Sequence, residues 1–143
     1  VRVTSMQIAF YSVTGRVRDF VKRLPYKAYE ISPADPLYEM TEPFVLILPT
    51  YERFYFEAVE EFLGFKQNQH LLGGVAGSGN RNFGDDYIFI AKEFSKEYHV
   101  PFIYDFEHSG TERDIEAFER EVKSIANTAT SGKTERTDVL PTQ

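Results

Sequence analysis

Cysteine is absent from the 143 residues, and this one absence removes disulfides, thiol redox chemistry, thiolate zinc sites and cysteine-ligated iron–sulfur clusters. Any redox chemistry must therefore come from a bound cofactor. Basic residues are few and scattered: 16 Lys and Arg stand against 22 Asp and Glu, for a net charge of −6. Phosphate-backbone binding needs clustered positive charge, so no nucleic-acid partner is expected. No apolar run approaches the roughly twenty residues that span a bilayer, and Val1 to Ser5 lack a charged-then-apolar signal pattern. The chain therefore reads as soluble and cytoplasmic, with no membrane partner. His70, His99 and His108 fall in unrelated segments without metal-ligand spacing, so no metal site is expected and the rings are read as solvent-facing. Gly77-Ser78-Gly79 lacks the ordered partners of a nucleophile elbow, and no catalytic side chain is assigned.

What is present suits one compact domain, since hydrophobic residues make up 42% and aromatics 15%. The domain is expected over 6–126. Val1 to Ser5 precede Met6 and read as a cloning remnant, while 127–143 is polar, turn-rich and without apolar period, as a disordered tail would be. Strand-like runs occur at Gln7 to Tyr11, Lys27 to Ile31, Phe44 to Leu48, Gly74 to Ala76 and Val100 to Phe106. The third is apolar throughout and belongs at the sheet centre, and the second has the mixed polarity of an edge. Helical stripes follow at Val17, Phe20, Val21 and Leu24; at Phe56, Val59, Phe62 and Leu63; at Tyr87, Ala91, Phe94 and Tyr98, starting near Asp85; and at Ile115, Phe118, Val122 and Ile125. Thr111 with Asp114 has the form of a capping box for the last of these. Only the crossover through Pro33, Pro36 and Pro43 is poor in helix. The alternation predicts an α/β fold, a doubly wound five-stranded parallel sheet with helices on both faces.

In such sheets ligands sit beyond the carboxyl ends of the strands, where the loops at Ser12, Pro49, Gly77 and Glu107 are expected to converge. Ser12-Val13-Thr14-Gly15 joins a strand to a helix N-terminus and suits a phosphate, although hydroxyls there also serve as plain helix caps. Gly77 to Gly84 combines glycines, which admit positive φ and close approach, with Asn80, Arg81, Asn82 and the flat ring of Phe83. A planar, hydrogen-bonding heterocycle suits that set, and so does a long glycine turn.

Ser12-Val13-Thr14-Gly15 resembles the phosphate loop of flavodoxins. Gly77-Ser78-Gly79-Asn80-Arg81-Asn82-Phe83-Gly84-Asp85 resembles the signature loop of the NrdI family, flavodoxin-like stimulators of ribonucleotide reductase. Val100-Pro101 with Phe106-Glu107-His108-Ser109-Gly110-Thr111 is a second matching block, so the resemblance runs from about Met6 to Ala126. It implies a flavodoxin-like sheet and a non-covalent FMN. The phosphate would rest on Ser12, Val13, Thr14, Gly15 and Arg16 beside Val17. The ring would lie between Pro49, Thr50, Tyr51 and Glu52 and the loop of Ser78, Gly79, Asn80, Asn82, Phe83 and Gly84. It further implies three partners: the small radical-bearing subunit of an aerobic ribonucleotide reductase, dioxygen as the source of superoxide, and an unidentified flavin reductant. The function implied is that of an activase more than a stand-alone enzyme. A general single-electron-carrier flavodoxin, and a scaffold that has lost FMN, are the other readings left open.

Two departures from the family pattern bear on this. Arg16 stands where relatives commonly have Asn and suits a charge-assisted contact with the phosphate. Tyr51 to Tyr55 contains no glycine where many relatives are glycine-rich, so a peptide flip beside the flavin would be costly. Arg53 in that loop is expected to overlook the ring, and Tyr51, Phe54, Tyr55 and Phe83 to anchor the interface with the partner subunit.

Overall fold

The computed structural model describes residues 6–139, with side chains for all of these but 85 and 128–139. Its strands are β1 (Gln7–Phe10), β2 (Ala28–Glu30), β3 (Phe44–Leu48), β4 (Leu72–Gly79) and β5 (Phe102–Glu107). All pair in parallel, in the order β2-β1-β3-β4-β5. The helices are α1 (Arg16–Lys22), α2 (Glu57–Leu63), α3 (Asn68–Leu71), α4 (Phe89–Glu97) and α5 (Glu112–Val139). β3 is buried at every position because both its faces are covered. Val45 and Ile47 share one core cluster with Phe20 of α1 and Phe118 of α5, and Leu46 and Leu48 share another with Phe62 of α2 and Phe94 of α4. The sheet is thus doubly wound, with β2 at one edge. From β1 the chain winds outward to β2, and from β3 it winds the other way, which opens a crevice beyond the ends of β1 and β3.

β4 is longer than its apolar centre suggests, continuing through Gly77, Ser78 and Gly79. A Cβ on Gly77 would lie 2.6 Å from that of Ala91, and one on Gly79 would lie 3.1 Å from Tyr87 Cδ1. These two glycines therefore let α4 seat closely on the sheet. Gly84 alone of the stretch's glycines takes positive φ, at 61°. The expected loop is strand as far as Gly79, then a 3-10 turn over Arg81–Asp86. Regular helix starts at Phe89 rather than near Asp85, since Gly84 and the left-handed Ile88 (φ 52°) interrupt the winding.

The crossover from β2 to β3 is helix-free, and it is tied down by a fully buried side chain, Asn68. Its Oδ1 accepts from Met40 N–H at 2.8 Å, and its Nδ2 donates to the carbonyls of Tyr38 and Phe62, each at 2.8 Å. Every polar atom of that amide is used, which makes its burial affordable. Thr111 and Asp114 form the capping box: Asp114 N–H donates to Thr111 Oγ1 at 3.1 Å, and Thr111 N–H donates to Asp114 Oδ2 at 2.8 Å. The α5 backbone stays helical to Val139, into the stretch expected to be a tail. Residues 1–5 and 140–143 lie outside the described residues, among which no helix is long and apolar enough to cross a membrane.

Candidate functional site

The exits of β1, β3, β4 and β5 meet around an open cavity of about 300 Å³. Ser12, Val13, Thr14, Arg16 and Val17 line it after β1, and Pro49, Thr50 and Tyr51 after β3. Ser78 and Gly79 reach it at the end of β4, followed by Asn80 and Phe83. Of the residues expected there, Gly15, Glu52, Asn82 and Gly84 are adjacent in sequence without lining it. His108 does line it, after β5. Spacing alone makes that residue merely solvent-facing; it is exposed, but at the rim of the cavity. The signal for it was its position one residue past the last strand.

After β1 the chain turns sharply into α1 through Gly15, held at φ 94°. Ser12 Oγ accepts from Gly15 N–H at 3.2 Å and Arg18 N–H at 3.3 Å, so it does cap the helix, from inside the turn. Thr14 does not. Among the described residues its exposed hydroxyl has no partner, and the N–H groups of Thr14, Arg16 and Val17 meet no protein acceptor. Arg16 donates to His108 Nδ1. Two turns of polarity are thus left for a ligand: unpaired donors from the backbone, and a hydroxyl and a guanidinium from side chains.

The walls after β3 and β4 are fixed by bonds among themselves. Thr50 Oγ1 donates to the Ser78 carbonyl at 2.8 Å, and buried Ser78 donates to the His108 carbonyl at 2.6 Å. Asn80 Oδ1 accepts from Asn82 N–H at 2.9 Å and starts the 3-10 turn. Tyr51 is half-buried against Tyr55, while Phe54 and Phe83 stand out at 70% and 66% exposure.

Arg53 departs from expectation, because it faces away from the cavity. Its guanidinium donates to Glu60 (2.8 Å), Glu93 (3.0 Å) and Glu97 (2.9 Å) and lies 4.2 Å above the Phe94 ring centroid. Three carboxylates and an aromatic face outbid an open crevice. Arg81 is held similarly after β4: its N–H donates to Glu107 at 2.9 Å, its guanidinium to Asp105 at 3.1 Å, and it covers the Tyr87 ring. Burial, then the charge of Asp105, pushes the Tyr87 hydroxyl far above its ordinary value, so it stays a neutral donor to that carboxylate at 3.2 Å. Both walls are therefore clamped from behind by an arginine whose charge is spent.

Unpaired donors on the α1 side, the rings of Tyr51 and Phe83 and the amide of Asn80 form a donor set that fits a planar ring system carrying a phosphate, as FMN does. Among the described residues no group of His, Asp and Glu could hold a metal ion.

Residues 8–120 match the family described as NrdI Flavodoxin like. The chain is 43% identical over 124 residues to Protein NrdI of Bacillus licheniformis, covering 84% of this chain and 89% of that protein. It is 39% identical over 114 residues to Protein NrdI of Bartonella henselae, covering 76% and 86%. Among solved structures it is similar to a Streptococcus pneumoniae flavodoxin, with a TM-score of 0.55 and 20% identity over 86% of this chain and 98% of that one. It is likewise similar to a short-chain flavodoxin associated with a bacterial microcompartment, with a TM-score of 0.53 and 21% identity over 87% and 98%.

Proposed function

The chain belongs to the NrdI flavodoxin-like family, and from that premise we propose that it binds FMN non-covalently and serves, in the cytoplasm, as an activase for the small radical-bearing subunit of an aerobic ribonucleotide reductase. The observation that carries this reading is the meeting of unpaired donors and flat rings in one cavity at the strand ends. The Thr14 hydroxyl, the N–H groups of Thr14, Arg16 and Val17 and the Arg16 guanidinium would hold the phosphate, with Ser12 and Gly15 shaping the turn. Tyr51 and Phe83 would flank the ring, and Asn80 would meet its polar edge. Bound FMN would supply the redox chemistry, taking electrons from a flavin reductant and passing them to dioxygen as superoxide or to the partner directly.

The chain's own residues do the remaining work. Tyr51, Pro49 and Phe83 would keep water from the ring, and the bonded set Thr50–Ser78–His108 keeps the walls in place. Phe54, Tyr55 and Phe83 are exposed beside the cavity, as rings awaiting a docked surface are, and the net charge of −6 would speed encounter with a basic partner. The purified protein should therefore be yellow, and Thr14→Ala should raise the FMN dissociation constant about tenfold to a hundredfold, the effect of losing one hydrogen bond to a charged group. A colourless protein that takes up no FMN in a fluorescence titration would leave the scaffold reading instead.

A further inference from the structure

Arg16 is unusual among the arginines near the site in having no carboxylate. Arg18 is paired with Glu30 at 2.6 Å, Arg23 with Glu112 at 3.5 Å, Arg53 with three glutamates and Arg81 with Asp105 and Glu107. Among the described residues Arg16 meets only the imidazole of His108. A guanidinium has donors and no acceptor, so in this contact His108 Nδ1 is the acceptor. The ring thus holds the guanidinium without cancelling its charge. In a chain with a net charge of −6, an uncancelled cation at a cavity rim is a feature to account for.

The backbone beneath His108 is built to present the ring. His108 sits in the left-handed region at φ 54°, which residues other than glycine adopt only when their surroundings hold them there. Bonds on both sides hold it there: its N–H donates to the Gly79 carbonyl at 3.1 Å, and its carbonyl accepts from Ser78 Oγ at 2.6 Å. The turn is closed behind it by Gly110, at φ 77°, against Phe20 of α1, and Arg23 donates to the carbonyls of Ser109 and Gly110. Glu107, the nearest carboxylate in sequence, is taken by Arg81 and does not compete for Arg16.

We propose that His108 is a positioning residue that aims the uncancelled Arg16 guanidinium at the cavity, and that the pair makes the site select a flavin ending in phosphate over one ending in a hydroxyl. The inference rests on the flavin reading above and assigns a role to His108 that the β1 turn alone does not require. It is tested on the full chain, stripped of any flavin it carries, by fluorescence titration with FMN and with riboflavin. Glycine is the substitution of choice because it accepts φ 54° without strain. His108→Gly and Arg16→Ala should each raise the FMN dissociation constant about tenfold and leave that of riboflavin unchanged. The double variant should bind FMN no worse than Arg16→Ala alone. His108→Asn, which tolerates the same backbone and offers an amide oxygen to Arg16, should restore most of the loss. If wild-type protein binds FMN and His108→Gly leaves that affinity unchanged, or weakens FMN and riboflavin equally, the inference is overturned while the flavin reading stands. Wild-type protein that takes up neither flavin overturns both.

Discussion

Arg53 shows how a single residue in a site loop is claimed by its surroundings. Burial works against its charge, but hydrogen bonds to Glu97, Glu60 and Glu93 outweigh that and raise its pKa well above the ordinary value. The same bonds hold the loop after β3 to α2 and α4. Replacing Arg53 with Met should lower stability by about 1–2 kcal/mol, through the lost ion pairs, the lost stacking on Phe94 and three glutamates left facing one another. Urea denaturation measures this. The difference from wild type should shrink in about 1 M salt, where exposed charges are screened; a salt-independent loss would mean that packing, not charge, holds the loop.

Among the elements, α5 begins on the capping box, and its carboxylate reports on pH. Burial alone would raise the Asp114 pKa, but hydrogen bonds from Tyr104 O–H at 2.6 Å and from Thr111 N–H and O–H win, and the carboxyl is held below its ordinary value. In the same contact burial, then the bond to Asp114, pushes the Tyr104 hydroxyl up to about 12. Because the folded value of Asp114 is depressed, its contribution is present above the unfolded value, near 4, and is lost as pH falls through the folded one. Stability measured in urea should therefore fall on acidification below about pH 4, and Asp114→Asn should show a shallower fall than wild type; an equal slope would place the acid sensitivity on other carboxylates. This box was legible in Thr111 and Asp114, as β3 was in its five apolar residues, because both signals are local. Asn68 was not, since an amide in a polar connection looks solvent-facing until the crossover folds over it. Arg53 and His108 escape for the same reason: Glu93 and Glu97 lie 40 and 44 positions from Arg53, and Arg16 lies 92 from His108. Gly77 and Gly79 seat α4 on the sheet, and Gly79 lines the cavity as well.

For the whole molecule, the winding of the sheet gathers four strand exits at one end, and there the unpaired donors of the β1 turn meet the exposed rings of Phe54, Tyr55 and Phe83. An electron-carrying flavodoxin would use the same crevice, so the account depends on what docks over it. The most direct measurement is the radical yield, by electron paramagnetic resonance, of the small reductase subunit from the same organism, mixed with the FMN-loaded, fully reduced protein and dioxygen. The account predicts a yield well above that of the subunit with dioxygen alone, and a loss of that gain in Phe54→Ala at unchanged FMN occupancy. FMN-loaded wild-type protein that never raises the yield would contradict it.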